Sequence, residues 1–126
     1  MTTEEFLEIW HKAVAETDMA LVATIIAEDA TIASPAYWSP KGPKSHVLKI
    51  LTAVTSVFED FHYVKEWVDG DELLLEFAAH VDDIHLKGID RISLNSDGKL
   101  QHIEVMIRPI NALFKMVEHV KGAFDD

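Results

Sequence analysis

The residues with the clearest potential for chemistry lie on either side of a polar turn in the last third of the chain. Asp90, Glu104 and Arg108 fall in two segments, residues 86–94 and 100–108, in which apolar and polar residues alternate as they do in strands. A carboxylate there could exchange protons with a ligand, while Arg108 holds an anionic or carbonyl oxygen. If the turn pairs Leu94 with Leu100, one face carries Asp90, Ile92, Leu100, His102, Glu104, Met106 and Arg108.

The same side chains have a structural interpretation, because ionisable groups inside an apolar fold are costly unless they are paired. Arg108 could form an ion pair with Asp90 or with Glu104, and the sequence leaves the choice open. An apolar stripe on the outside of a sheet indicates a surface that meets a partner. The same register predicts that this outer face carries Ile89, Ser93, Ile103, Val105 and Ile107.

Histidines are the next candidates. His62 and Tyr63 open the first long strand, and we expect one of them to face the interior, where a histidine–carboxylate dyad could form. A hydrogen-bonded structural histidine is the simpler interpretation. Residues 80–85 contain metal-ligand types, but their spacing is more typical of a polar hairpin connection. We therefore expect no metal site and no cofactor.

Large aromatic residues mark candidate walls of a ligand pocket. Trp10, Phe58 and Phe77 fit either a pocket wall or ordinary core packing. Tyr37 and Trp38 lie in a proline-rich loop that has less structural need for adjacent aromatics, so we expect them to cover a pocket mouth. The predicted ligand-binding residues are Trp10, Tyr37, Trp38, Phe58, His62, Tyr63, Phe77, His102 and Met106.

The hydrophobic period predicts the elements that position these residues. Helices are predicted over residues 2–16, over a short segment carrying Met19 and Ile26, from Gly42-Pro43 onward, and from Pro109 to a stop at Gly122. The last helix is predicted to bury Ile110, Leu113, Phe114, Val117 and Val120. Strands are predicted over residues 30–34, 61–68, 73–81, 86–94 and 100–108. This order predicts an α+β fold of one domain, residues 1–126, with helices on one face of an antiparallel sheet.

Three stretches resemble the nuclear transport factor 2-like superfamily, which includes ketosteroid isomerase, scytalone dehydratase, limonene epoxide hydrolase and the SnoaL-like polyketide cyclases. They are AEDAT leading into Ser34-Pro35, GIDRI at residues 88–92, and DGKL followed by EVMIRP at residues 97–109. The resemblance implies a cystatin-like cone, in which a strongly bent sheet wraps a mostly apolar pocket. It also implies dimerisation through this sheet face, so we expect a symmetric homodimer through the outer sheet face.

The resemblance further implies which catalytic sets are missing. The general base of ketosteroid isomerase is a carboxylate just before the proline that ends the first strand, and Ser34 has that place here. A serine without an adjacent base cannot remove a carbon-bound proton at neutral pH. The acid–base set of limonene epoxide hydrolase falls on Leu75, Phe77 and Arg108, so that route to water activation is missing as well.

Composition restricts the partners and the compartment. A formal net charge of −11 disfavours nucleic acid and anionic membrane surfaces. The absence of cysteine excludes disulfides and thiolate metal sites. Because neither a signal peptide nor a membrane-length apolar run is visible, we expect a cytoplasmic protein.

Two functions remain. The first is a SnoaL-like protein that binds a small apolar or partly polar molecule in the cone, with lyase, isomerase or cyclase activity based on Asp90, Glu104 and Arg108. The second is a non-enzymatic ligand-binding or protein-interaction module. A cone filled by its own side chains would favour the second function.

Overall fold

The structure, a computed structural model, describes residues 1–121. Every predicted element is present in the predicted order, and the largest difference is the first strand, which already begins at Ile26, where the sequence predicted helix. The predicted helix stop at Gly122 lies outside the described residues. The elements are α1 (Thr3–Glu16), α2 (Met19–Ala23), β1 (Ile26–Ala33), α3 (Lys44–Val57), β2 (Glu59–Asp69), β3 (Glu72–Val81), β4 (Ile84–Leu94), β5 (Leu100–Arg108) and α4 (Ile110–His119).

Helix α1 begins with the predicted capping box. The Thr2 hydroxyl accepts a hydrogen bond from the Glu5 N–H at 3.1 Å, and the Thr2 N–H donates to the Glu5 carboxylate at 3.0 Å. Phe6, Trp10 and Ala13 then recur on one helical face and are buried. The cap thus sets the helical phase that brings Trp10 to the interior.

The five strands form one mixed sheet in the order β1-β5-β4-β3-β2. Strands β2 to β5 make the predicted antiparallel meander. Strand β1 lies parallel to β5, with Thr31 opposite His102, so the sheet is not antiparallel throughout as predicted. Helix α3 connects β1 to β2, and these two strands lie at opposite edges of the sheet. Strand β1 therefore lies beside the last strand, β5.

A β-bulge at Gln101 changes the facing of β5. Leu94 pairs with Leu100 as predicted, but the next pair along the hairpin skips Gln101. The Gln101 side chain instead donates to Asp29 on β1, at 3.0 Å to the carboxylate and 3.4 Å to the backbone oxygen. Strand β5 therefore meets β1 and β4 together at the expense of one unpaired residue.

Because side chains alternate along a strand, one extra residue turns every later side chain of β5 to the opposite face. Asp90 faces the interior, as predicted, but the other ionisable residues of the predicted face do not. The prediction of a shared face was wrong for His102, Glu104, Met106 and Arg108, which lie on the outer face. Of the predicted outer face, Ile89 and Ser93 do lie outside, opposite Met106 and His102. Ile103, Val105 and Ile107 were predicted there as well but face inward.

The helices cover the inner face of the sheet, where β3 contributes a buried row that includes Leu73, Leu75 and Phe77. The Phe77 ring lies directly over Gly88 of the neighbouring strand. A Cβ atom at position 88 would overlap that ring, so glycine is required for the close approach.

Helix α4 buries only part of the predicted face: Val120 is buried, and Leu113 and Val117 are half-buried against the core. Ala112, Met116 and Val120, spaced four residues apart, are its buried stripe. Ile110 and Phe114 were predicted to be buried but are 66% and 64% exposed. The helix begins immediately after Pro109, and its packing on the sheet selects the narrower stripe.

Candidate ligand site in the cone

A mostly apolar cavity lies between the helices and the inner face of the sheet. Its free volume is about 60 Å³. Among residues 1–121, Asp90 is the one carboxyl that lines the cavity, and it lies between Leu75 and Val105 of the neighbouring strands. The walls come from α1, α3, α4 and the sheet, and include Trp10, Val54, Phe58, Phe61, Phe77, Ile107 and Met116.

A chain of hydrogen bonds connects helix α1 to Asp90. The Trp10 indole N–H donates to the Tyr63 hydroxyl oxygen at 2.9 Å. The Tyr63 hydroxyl in turn donates to Oδ2 of Asp90 at 2.7 Å. The single hydroxyl proton of Tyr63 is thereby directed at the carboxyl group, and Trp10 occupies an acceptor position of the same oxygen.

Burial dominates the electrostatics of this chain. Asp90 is 7% exposed, and its burial raises its pKa to about 7, against the smaller lowering effect of the Tyr63 hydrogen bond. Burial and then the Asp90 charge raise the pKa of Tyr63 well above its ordinary range. The proton between the two groups therefore stays on Tyr63, and Asp90 titrates near neutral pH.

The second carboxyl oxygen of Asp90 faces free space. Among residues 1–121 it has no hydrogen-bond partner, since Tyr63 bonds only Oδ2. No fully buried side-chain oxygen or nitrogen in this part of the chain lacks a partner. Oδ1 is therefore accessible, and Asp90 is one of the residues that line the cavity. An oxygen in this position can accept a ligand proton when ionised or donate one when neutral.

Ser34 and Pro35 also line the cavity. The Ser34 hydroxyl oxygen accepts a hydrogen bond from the Ala36 N–H at 3.2 Å, so it closes a local turn at the end of β1. The position at which the resemblance implies a carboxylate base therefore lines the cavity, but it carries the hydroxyl of Ser34 instead.

The structure brings together five residues predicted for the site. Trp10, Phe58, Tyr63, Phe77 and Asp90 all line the cavity. Of the adjacent pair at the start of β2, Tyr63 is the residue that faces inward, because it pairs with Phe77 of the inner row.

The remaining predicted residues lie elsewhere, and the bulge accounts for most of them. Glu104, Met106 and Arg108 follow Gln101 and lie on the outer face, as does His102, whose ring nitrogen is 2.7 Å from the Thr31 hydroxyl. His62 faces outward in the row of Ala78. The ion pair of Arg108 with Asp90 or Glu104 is likewise not formed in residues 1–121.

The loop aromatics do not line the cavity either. Trp38 is 96% exposed, and it lies with Tyr37 beside Glu104 and Met106 in an outer groove next to β5. The Lys41 ammonium lies 4.0 Å from the centre of the Tyr37 ring, which holds that ring at the loop. The proposed cover of the pocket mouth was therefore wrong for this loop.

Sequence reasoning missed several lining residues for two reasons. Val105 and Ile107 were assigned to the outer face because nothing in the local pattern marks Gln101 as a bulge. Met116 and Val54 are ordinary apolar helix positions, and only packing against the sheet distinguishes them from other core residues.

The histidine segment at the β3–β4 turn forms a polar brace. His80 contacts the Asp60 carboxylate at 2.7 Å, and His119 contacts Asp82 at 3.1 Å. Within residues 1–121, no cluster of three or more histidine, aspartate or glutamate side chains is arranged to hold a metal ion. In the same part of the chain, no helix is both long and apolar enough to cross a membrane.

Solved structures of similar proteins fit this architecture. A protein described as a steroid delta-isomerase from Pseudomonas aeruginosa is 34% identical, with a TM-score of 0.91 over 95% of this chain and 89% of its own. An uncharacterized bacterial protein with a cystatin-like fold from Silicibacter pomeroyi is 28% identical, with a TM-score of 0.87 over 92% and 82%. A nuclear transport factor 2-like protein of unknown function from Cytophaga hutchinsonii is 16% identical and shares the fold, with a TM-score of 0.71 over 90% and 96%.

No protein-family model and no curated protein matches the chain. The sequence-based predictions of superfamily and of an α+β cone are confirmed by the solved structures. Since 34% identity extends over nearly the whole length of both proteins, this chain belongs to the nuclear transport factor 2-like, SnoaL-like superfamily.

Proposed function

We propose that the cavity binds a compact, mostly apolar carbonyl compound and that Asp90 exchanges a proton with it, in an isomerase, lyase or cyclase reaction. The observation that carries this proposal is the free Oδ1 of Asp90 at an otherwise apolar cavity. A relative described as a steroid delta-isomerase supports the reaction class. Arg108, which the sequence suggested as a second catalytic group, is left out because it lies on the outer face.

The chemistry requires one carboxyl to work in both directions. A group with a pKa of about 7 is present in both protonation states at neutral pH. Ionised Asp90 would take a proton from the carbon beside the ligand carbonyl, leaving an enolate. The neutral acid formed in this step would return the proton to the same carbon or to another, so no cofactor is consumed.

Ser34 is the reason for assigning both steps to Asp90. Two carboxylates cannot share the two proton transfers, because the other candidate position is Ser34, whose hydroxyl oxygen accepts a hydrogen bond from the Ala36 N–H. Trp10 and Tyr63 would act on the reaction through Asp90, since the Tyr63 proton is directed at Oδ2.

The proposal can be tested by hydrogen exchange on model ketones. The protein is incubated in deuterated buffer with small cyclic ketones, and deuterium uptake beside the carbonyl is followed by mass spectrometry. We expect the natural protein to catalyse uptake and Asp90→Asn to lose most of this activity. The control Glu104→Gln should keep the activity of the natural protein, because its side chain is on the outer face. Uptake that survives Asp90→Asn would refute the assignment.

A second candidate is a non-enzymatic ligand-binding or interaction module, and the size of the cavity favours it. A free volume of about 60 Å³ is smaller than the engineered cavity of about 150 Å³ that admits benzene. A larger ligand would need side chains such as Phe58 or Met116 to move. Ketone binding by saturation-transfer NMR without any deuterium uptake would select this candidate.

A symmetric homodimer through the outer sheet face remains part of the proposal, although of the apolar residues first predicted for that face only Ile89 lies in the patch described here. Trp67, Leu74 and Met106 are 42%, 37% and 45% exposed on that face, and Ile89 lies among them. Large apolar side chains grouped on a sheet are typical of a protein interface. Sedimentation equilibrium of Met106→Glu should give a monomer if this face pairs, and an unchanged mass would exclude it. A cytoplasmic location stays a prediction from the sequence.

A further inference from the structure

A row of basic side chains crosses the outer face of the sheet, on the side opposite the cavity. His62, Ala78, Lys87 and Arg108 are cross-strand neighbours on β2, β3, β4 and β5. Together with Pro109 they line a groove of about 390 Å³. The β-bulge at Gln101 is what places Arg108 in this row.

The two cations of the row are directly opposite each other. Lys87 pairs with Arg108, and like charges in this arrangement destabilise a sheet. Arg108 has no ion pair among residues 1–121, and the Lys87 ammonium is 3.9 Å from the Glu76 carboxylate, at the outer limit for an ion pair. Farther along β4, on the same face, Arg91 has the opposite environment, because it pairs with the acidic Glu104.

The acidic group in the groove does not offset these charges. Asp60 lines the groove, but its carboxylate is held by His80 at 2.7 Å. Hydrogen bonding to Asp60 raises the pKa of His80, so the pair approaches neutrality. Among the described residues that line the groove, the two cations Lys87 and Arg108 therefore outnumber the one carboxylate, in a chain with 22 acidic and 11 basic residues.

We infer that this groove binds a phosphate group through Lys87 and Arg108. The guanidinium offers a fork of N–H donors and the ammonium a point charge, which together suit a dianion with several acceptor oxygens. A single carboxylate would satisfy fewer of these donors. The net charge of −11 repels anions in general, so saturable phosphate binding would report this local site. The inference does not depend on the proposed acid–base function of the cavity.

The test is a titration of the isotope-labelled protein with inorganic phosphate at constant ionic strength, followed by NMR of backbone amides. We expect saturable shifts confined to the row on β2 to β5. Arg108→Gln should weaken binding about tenfold, equivalent to about 1.4 kcal/mol, and Lys87→Gln should do the same if the first variant folds poorly. The matched control Arg91→Gln removes a cation from the same face and should leave the affinity unchanged.

Two results would overturn the inference. Shifts that grow linearly without saturation would mean ionic screening only, and an equal loss in Arg91→Gln would mean a diffuse effect of charge. A parallel titration with glycerol phosphate separates the sources of the phosphate group. If glycerol phosphate binds more tightly than inorganic phosphate, the groove is assigned to a phosphate ester. If it binds more weakly, the groove is assigned to the free ion.

Discussion

Replacement of Asp90 by asparagine tests the electrostatics of the cavity, because it removes the charge and keeps the shape. Asparagine can still accept the Tyr63 hydrogen bond through its side-chain oxygen. Burial raises the pKa of Asp90 from its ordinary value of 3.8 to about 7. A group with a raised folded pKa stabilises the protein below its unfolded pKa, and this contribution is lost as the pH rises through the folded pKa.

The magnitude follows from the same values. The gap between 3.8 and about 7, at about 1.4 kcal/mol for each pKa unit, amounts to about 4 kcal/mol of pH-dependent stability. Roughly half of it, about 2 kcal/mol, should fall between about pH 5.5 and about pH 8.5. This range stays above the sequence pI of 4.9, where solubility would be low.

The assay is urea unfolding of the natural protein and of Asp90→Asn at a series of pH values. Subtracting the two free energies of unfolding cancels the other titrating groups, which both proteins share. We expect the natural protein to lose about 2 kcal/mol relative to the variant as the pH rises over this range. Asp83→Asn, at the exposed β3–β4 turn, controls for the loss of a carboxylate. A difference that stays constant with pH would refute the account of Asp90 as a buried, neutral-range carboxyl.

Three further outcomes follow from the same contacts. Tyr63→Phe removes a hydrogen bond to the Asp90 carboxylate, worth about 1.5–3 kcal/mol. The proton affinity of Asp90, measured by carboxyl-carbon NMR titration, should therefore rise about tenfold or more. A fall in this affinity would contradict the direction of the bond. Trp10→Phe weakens the Tyr63–Asp90 hydrogen bond only indirectly, so it should raise the proton affinity of Asp90 by less than about threefold. An effect as large as that of Tyr63→Phe would mean a general disruption of the cavity. Gly88→Ala forces a Cβ into the Phe77 ring and should lower the free energy of unfolding by about 1–3 kcal/mol, and an unchanged urea midpoint would show that the ring can move away.

Local sequence patterns were enough for the order of the elements, and the resemblance of three stretches to a known superfamily was enough for the cone. The capping box at Thr2 and Glu5 starts α1 where predicted, and the turn at residues 69–72 joins β2 to β3 with Gly70 at a φ of 64°. These features depend on side chains a few residues apart, so their physical causes lie within the local sequence. The inward direction of Asp90 was also predicted, because it depends only on alternation along β4.

The composition of the site was decided by contacts between distant parts of the chain. Whether β5 carries Arg108 or Ile107 into the cone depends on the bulge at Gln101, and that bulge forms where β5 must pair with β1 on one edge and with β4 on the other. The partner of Asp90 proved to be Tyr63, more than twenty residues earlier in the chain, oriented by Trp10 from the first helix. Alternation along one strand determines which residues share a face, but only pairing with its neighbours determines where that alternation is interrupted.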